Sequence, residues 1–127
     1  MRTAKAVHAI NDAKMTVTNL TTGSVVATKV GLARKLTERM KGLLGRSRLD
    51  PGEGLIIKPC SAIHTFGMRF PIDVVFFDGE GRVISAIRGM KPCRMSMWRP
   101  GAKGVLELPV GALEASPARA GDMLEFR

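Results

Sequence analysis

Aromatic residues and cysteines are scarce in this chain of 127 residues, and each scarcity argues against a class of protein. The sequence has no tyrosine, one tryptophan and five phenylalanines. Because proteins usually bind single-stranded nucleic acids by stacking bases on aromatic side chains, the chain is poorly equipped for that mode of binding. Two cysteines are too few for a disulfide scaffold, and in a reducing compartment both should be thiols.

Long apolar runs are also lacking. The longest candidate, Ile72 to Phe77, is interrupted by Asp73. It falls far short of the ~20 apolar residues that a membrane-spanning helix needs. The N-terminal segment from Met1 to Ile10 contains no apolar core of the kind found in signal peptides. We therefore expect no membrane span and a cytoplasmic location.

Positive charge is what the chain has in excess, with 20 lysines and arginines against 11 acidic residues and a formal net charge of +9. Such a charge favours attraction to polyanions, such as nucleic acid or an anionic membrane surface. The charges are spread along the sequence, however, and no helix-turn-helix, zinc-finger or RNP-like signature is present. A generally basic surface is the simpler interpretation, and weak nucleic-acid binding stays an alternative.

Short β-strands separated by turn residues account for most of the chain. Alternating apolar and β-branched residues, bounded by glycine, proline and aspartate, are typical of strands and hairpins. The pattern predicts strands at residues 15–19, 25–30, 54–58, 63–66, 72–77, 83–87, 105–108 and 123–126. The strand at 72–77 is apolar on both faces apart from Asp73, which predicts a central position in the sheet.

One amphipathic helix is predicted over residues 33–44. Its apolar positions Leu36, Met40, Leu43 and Leu44 follow the i, i+4, i+7, i+8 spacing of one helix face. Gly45 follows directly, where a left-handed residue commonly ends a helix. Together the elements predict a mostly β fold, either an antiparallel β-sandwich or a partly closed barrel, with this helix packed against it. Residues 15–127 would form a single domain after a mobile extension of residues 1–14.

The segment from Cys60 to Asp78 combines a thiol, an imidazole and a carboxylate with strongly apolar neighbours. Buried polar groups need partners, so the segment predicts either a structural polar network or a site. Cys60 and His64 could form a nucleophilic pair if the thiolate were stabilised by the imidazolium. A zinc site needs three or four ligands, and the chain offers few beyond these two and Cys93. We therefore expect no metal or other cofactor, and treat Cys60 and Cys93 as candidate reactive thiols.

Two carboxylates, Asp73 and Glu107, lie inside apolar strands. If the strands are neighbours, the two groups could converge for acid/base chemistry. In the simpler alternative, each accepts hydrogen bonds from loop N–H groups or pairs with an arginine such as Arg69.

The stretch from Met90 to Gly101 is the second unusual segment, because it contains three methionines, Cys93 and Trp98. Thioethers and thiols suit Cu(I), and methionine-rich surfaces also serve as adaptable binding patches. Alternatively, Trp98 and a methionine fold over the open end of the barrel.

Five blocks of the sequence together resemble a known family. They are the block from Arg39 to Arg46, the Gly54-Leu-Ile-Ile block, the block from Ile63 to Phe77, the block from Val105 to Gly111, and Gly121-Asp122. In this order they are similar to the domain of unknown function 192 family (DUF192) of bacteria and archaea. The resemblance covers most of the chain, implies a compact, mostly β domain of sandwich or barrel type, and implies no established activity or cofactor. The family's blocks map onto His64, Thr65, Met68, Pro71, Asp73, Glu107 and Gly111.

The leading functional hypothesis is a small, non-catalytic binding or accessory module with a polar groove near His64, Asp73 and Glu107. Its partner would be a small molecule or another protein. The candidate binding residues are His64, Thr65, Met68, Asp73, Trp98 and Glu107. One alternative is a small hydrolase-like enzyme that uses Cys60 with His64, or Asp73 with Glu107. The other is a weak nucleic-acid binder.

Overall fold

Seven β-strands form one curled sheet in the computed structural model, which describes residues 14–33, 43 and 46–127. The order across the sheet is β5-β4-β6-β3-β2-β1-β7. The strands are β1 (Met15–Asn19), β2 (Ser24–Ala33), β3 (Glu53–Ile57), β4 (Ile72–Phe77), β5 (Val83–Met90), β6 (Gly104–Pro109) and β7 (Leu124–Phe126). The prediction of a mostly β fold is confirmed, in its partly closed barrel form.

The strand bounds follow the sequence pattern closely, with one exception. β1 and β4 have the predicted bounds, whereas β2 and β5 each extend three residues further at their carboxyl ends. The stretch at residues 63–66 forms only an isolated bridge, between His64 and Met95. It lies just before the left-handed Gly67 and outside the hydrogen-bonded order of the sheet.

One strand pair departs from the antiparallel arrangement, because β2 and β3 pair in parallel, with Lys29 opposite Glu53 and Ala33 opposite Ile57. A parallel pair needs a long crossover connection, which residues 34–52 provide here. The helix predicted at residues 33–44 lies almost entirely outside the described residues. The extension predicted at residues 1–14 also lies outside them, except for Lys14.

Both faces of the sheet are covered, and each face has its own apolar core. The first core is built around Leu55, Ile57, Ile72, Val74, Phe76 and Val105. The second core is built around Ile56, Val75, Phe77, Leu106, Leu108 and Leu113. Every residue of β4 is buried, because alternate side chains of a strand point to opposite faces and both faces are packed. This explains why the strand is apolar on both faces, and it lies inside the sheet as predicted.

A buried amide connects the two ends of the described chain. The Asn19 side chain donates to the Asp122 carboxylate (2.9 Å) and to the Pro117 carbonyl (3.2 Å), while its oxygen accepts the N–H groups of Thr21 and Thr22. The hydrogen bond from Asn19 and a second one from the Arg119 backbone hold the pKa of Asp122 below its ordinary value. This network fixes the β1–β2 turn against the loop that leads into β7.

Candidate functional site

The Asp73 carboxylate accepts three backbone hydrogen bonds. The donors are the N–H groups of Gly89 (2.8 Å), Gly111 (3.2 Å) and Leu113 (2.9 Å). Gly111 precedes a short helix, α1 (Ala112–Ala115), so the carboxylate satisfies donors at the helix start that have no partner within the helix. Asp73 is buried, and its interactions match the structural alternative that the sequence left open.

Glu107 lies on the opposite face of the sheet. It is fully buried and stands opposite Leu55 of β3 and Val74 of β4, which both belong to the first core. Asp73 stands opposite Leu108, which belongs to the second core. Since neighbouring positions along a strand point to opposite faces, the two carboxylates do not converge on one site. The acid/base pair considered from the sequence is therefore not assembled.

The two unusual segments of the sequence lie against each other. Residues 60–66 and 93–99 form an irregular antiparallel pair, which we call the ribbon. Its bonds include Ser96 N–H to the Ile63 carbonyl (2.8 Å) and Arg99 N–H to the Ser61 carbonyl (2.9 Å). The hydroxyl of Ser96 in turn accepts the N–H of Ile63 (2.9 Å). No local sequence pattern indicates this contact, because the segments are about thirty residues apart and neither has a regular period.

Thr65 is the polar centre of the ribbon. Its hydroxyl donates to the Lys91 carbonyl (2.6 Å) and accepts the N–H of Arg94 (2.9 Å). Its backbone N–H donates to the Arg94 carbonyl (2.8 Å), and its carbonyl accepts the N–H groups of Cys93 and Met68. Thr65 is fully buried, so this predicted site residue holds the loop after β5 in place rather than facing solvent.

The other predicted residues occupy different environments. The His64 ring stacks on Phe66 at 5.1 Å between ring centroids, and its Nδ1 accepts the Phe66 N–H (3.2 Å). Met68 is buried in the first core. Trp98 is exposed over 66% of its surface, so it does not close the open end of the barrel. The six candidate residues therefore divide between core, ribbon and surface and do not line one groove.

The two thiols also differ in environment, and neither takes part in a disulfide. Cys60 is half-buried, packs against the first core and donates through its Sγ to the Ala62 carbonyl (3.1 Å). Cys93 is exposed and adopts a left-handed backbone conformation with φ of 62°. Among the described residues, no three histidine, cysteine or acidic side chains gather closely enough to hold a metal ion.

A groove of about 590 Å³ lies elsewhere on the molecule, where β2, the loop before β3 and the β6–α1 connection meet. It includes the apolar residues Val25, Val26, Leu49, Phe70, Val110 and Ala112, and three prolines, Pro51, Pro71 and Pro109. Its polar lining includes Ser24, Arg48 and Ser116. The hydroxyls of the two serines are hydrogen-bonded to each other. None of the six candidate residues lines it.

Asp73 nevertheless holds one wall of this groove in place. Gly111, one of its lining residues, donates to the buried carboxylate, and α1 begins immediately afterwards. Sequence reasoning missed the groove because its walls come from four separate stretches of the chain. Val25 and Val110 are its exposed large apolar residues, at 51% and 55%. Val25 lies in a strand pattern beside Val26, and Val110 stands between Pro109 and Gly111. A single exposed valine carries no sequence signal.

No helix among the described residues is long and apolar enough to cross a membrane.

Comparisons with a family model and with known proteins point to the same family. The model of the DUF192 family, described as "Uncharacterized ACR", matches residues 17–126. A UPF0127 protein of Pyrococcus abyssi is 34% identical over 104 residues, which is 77% of this chain and 86% of that protein. A UPF0127 protein of Thermococcus sibiricus is 30% identical over 112 residues, or 85% and 72% of the two chains.

Two solved structures share the fold. A protein of unknown function from Novosphingobium aromaticivorans superposes with a TM-score of 0.74 at 24% identity, over 87% of this chain and 82% of that one. A protein from Sinorhizobium meliloti described as a putative transcription regulator gives a TM-score of 0.73 at 21% identity, over 88% and 91% of the chains. At these identities the likeness concerns the fold alone. The family model and the two archaeal relatives show that this chain belongs to the DUF192 family.

Proposed function

We propose that the protein is a non-catalytic binding module that holds a small, mostly apolar molecule carrying a negative charge. The observation that carries the proposal is the groove of about 590 Å³ between β2 and the β6–α1 connection. Its volume falls within the roughly 300–1,000 Å³ range of small-molecule sites. The binding role follows the leading hypothesis from the sequence, but the proposed surface is apolar and lies away from His64 and Glu107.

The chemistry of the lining indicates the kind of ligand. Pro51, Pro71 and Pro109 have no backbone N–H, so these walls offer shape and apolar contact more than hydrogen-bond donors. Val25 and Val110 present exposed methyl groups that a ligand would cover. Arg48 is the one charged side chain among the described lining residues. It forms a surface ion pair with Asp50 (3.0 Å), and a ligand anion would compete with that carboxylate for the guanidinium.

The catalytic alternatives have less support. Asp73 and Glu107 lie on opposite faces of the sheet, and Asp73 is occupied by three backbone donors. The Cys60 thiol donates to the Ala62 backbone carbonyl. A binding role requires none of these groups to react.

Calorimetric titration with dodecanoate and with dodecanol tests the proposal. We expect dodecanoate to bind and Val110→Asp to weaken that binding about tenfold or more, because a charged group replaces an apolar contact. Leu20→Asp is the matched control, since Leu20 is 53% exposed but lies outside the groove lining. Arg48→Gln should weaken the binding of dodecanoate and leave the binding of dodecanol unchanged. The proposal would be contradicted if neither dodecanoate nor dodecanol bound, or if Val110→Asp and Leu20→Asp weakened binding equally.

Nucleic-acid binding is the alternative that the net charge of +9 suggests. The Sinorhizobium meliloti protein with the same fold is described as a putative transcription regulator, which is the second observation behind this alternative. It predicts retention of a labelled oligonucleotide in filter binding at low salt, with an affinity that falls steeply as salt is raised. A groove-binding module without nucleic-acid affinity would show no retention.

A further inference from the structure

Four large apolar side chains stand exposed on the ribbon. The exposed fractions are 47% for Phe66, 71% for Met95, 79% for Met97 and 66% for Trp98. Met95 forms the bridge with His64, whose ring stacks on Phe66, so two of these four residues are linked through His64. Clustered apolar groups on a surface usually mark an interaction site, whereas single ones need no explanation.

The backbone beneath these side chains is firmly held. The Thr65 hydroxyl holds Lys91 and Arg94 in the loop after β5. At the other end of the ribbon, the Arg99 guanidinium donates to the Ser85 hydroxyl (3.0 Å) and to the Met97 carbonyl (3.0 Å). It also lies 5.0 Å from the centroid of the buried Phe76 ring. The ribbon therefore presents Met97 and Trp98 on an anchored support.

The charges that flank the ribbon along the sequence have one sign. Between Glu53 and Asp73 the sequence has two basic residues and no acidic one, and between Glu80 and Glu107 it has six basic residues and no acidic one. These two stretches contain both halves of the ribbon. Of the basic residues, Arg69, Lys91 and Arg94 are exposed close to the apolar side chains in sequence. The exposed apolar side chains are thus flanked along the chain by exposed cations and by no acidic residue.

We propose that this face of the ribbon docks on a lipid bilayer that contains anionic lipids. Tryptophan and phenylalanine favour the interface between headgroups and acyl chains, and flexible thioethers fit the same irregular environment. Lysines and arginines at the rim are attracted by the negative surface potential of such a bilayer. This peripheral binding lies at a different surface from the groove and does not depend on the groove's ligand.

Nucleic acid is the competing polyanion, and the composition of the ribbon favours lipid over it. Single strands are bound through stacked aromatic rings, whereas two of the four exposed apolar residues here are methionines, which cannot stack. Insertion into lipid can use thioethers and aromatic rings alike. Free inorganic anions would engage the cations but leave the apolar residues in water.

Trp98 is the single tryptophan of the chain, so its fluorescence reports on this surface directly. We expect its emission to shift to shorter wavelength with vesicles of phosphatidylcholine mixed with phosphatidylglycerol, and brominated acyl chains to quench it. Vesicles of phosphatidylcholine alone should give a much smaller shift, and added salt should reduce the shift with anionic vesicles. Absence of a shift with anionic vesicles would overturn the proposal, as would a stronger response to a single-stranded oligonucleotide at the same salt.

Matched variants separate surface binding from general charge attraction. Lys91→Glu should lower the partition into anionic vesicles by at least about fivefold, the effect expected for one cation at an anionic surface. Lys29→Glu is the control, because Lys29 is equally an exposed lysine but lies on β2. Met95→Ser combined with Met97→Ser should also lower the partition, whereas Leu20→Ser should not. Equal losses for Lys91→Glu and Lys29→Glu would contradict docking through the ribbon.

Discussion

Asp73 and Glu107 occupy neighbouring strands one register position apart, and their side chains lie on opposite faces of the sheet. Asp73 holds the start of α1 and the Gly89 backbone, whereas Glu107 is enclosed on the side of the first core. Each carboxylate therefore serves its own face. The proposed binding functions therefore rest on the groove and the ribbon and not on a carboxylate pair.

The first prediction concerns Asp73. Replacing it with asparagine leaves an NH₂ group facing backbone donors, so at least one buried N–H loses its acceptor. We expect Asp73→Asn to lower the free energy of unfolding by about 2–3 kcal/mol, measured by urea denaturation. Asp50→Asn is the control, because Asp50 is exposed and pairs with Arg48 at the surface, where an ion pair contributes little. A destabilisation no larger than the control's would show that the cap is unimportant.

The second prediction concerns Thr65. Thr65→Val keeps the side-chain shape but removes a hydroxyl that donates to Lys91 and accepts from Arg94. We expect the free energy of unfolding to fall by about 2–3 kcal/mol, because the buried network loses its central hydroxyl. The Arg94 and Ser96 amides should also exchange hydrogen faster. Thr22→Val, which removes an exposed hydroxyl near Ser24, should change both quantities little. Unchanged exchange in the ribbon would mean that Thr65 does not hold it.

The third prediction concerns the two thiols. Cys93 is exposed, while Cys60 is half-buried and donates to the Ala62 carbonyl. We expect an alkylating reagent at neutral pH to modify Cys93 first and Cys60 no faster than cysteine in a short peptide, since only the thiolate reacts. The single variants Cys60→Ser and Cys93→Ser assign the two rates by mass spectrometry. A Cys60 rate well above that of the peptide would revive the nucleophilic alternative.

The fourth prediction concerns pH and Asp122. Its pKa is lowered by the Asn19 side chain first and the Arg119 backbone second. A lowered folded-state pKa stabilises the fold fully above the unfolded-state pKa, and this contribution is lost as pH falls through the folded-state pKa. We therefore expect Asp122→Asn to lower Tm at neutral pH, with the difference from the original protein shrinking in acid.

The control for Asp122 is Glu114→Gln, which removes an exposed carboxylate from α1. Melting curves recorded from neutral pH into the acid range should show a small and nearly constant effect for this variant. A difference for Asp122→Asn that stays constant or grows as pH falls would contradict the proposed role of the ionised carboxylate.

Local sequence patterns were sufficient to place most of the strands. β1 and β4 have the predicted bounds, and the glycine at position 23 turns the chain with positive φ between β1 and β2. Such predictions succeed because alternation and turn chemistry are properties of a few neighbouring residues. The doubly apolar pattern of β4 likewise reflects the two cores that cover the sheet.

The candidate site was predicted less completely than the fold. The sequence marked Asp73 and Glu107 as carboxylates in apolar strands that need partners, and it named Thr65 only as a candidate binding residue; all three are buried. It could not assign the partners, because Leu113 is forty residues from Asp73 and Arg94 is twenty-nine residues from Thr65. It also could not find the groove, whose walls come from distant parts of the chain.

The sequence by itself thus determined the mostly β character, the strands and turns, and the positions where polar groups enter apolar surroundings. Tertiary structure alone decided that Asp73 and Glu107 face opposite ways, that residues 60–66 pair with 93–99, and that the groove forms beside α1. The physical reason is the range of the interactions. Strand alternation is encoded within a few residues, whereas the neighbour and register of each strand depend on contacts between segments far apart in the chain.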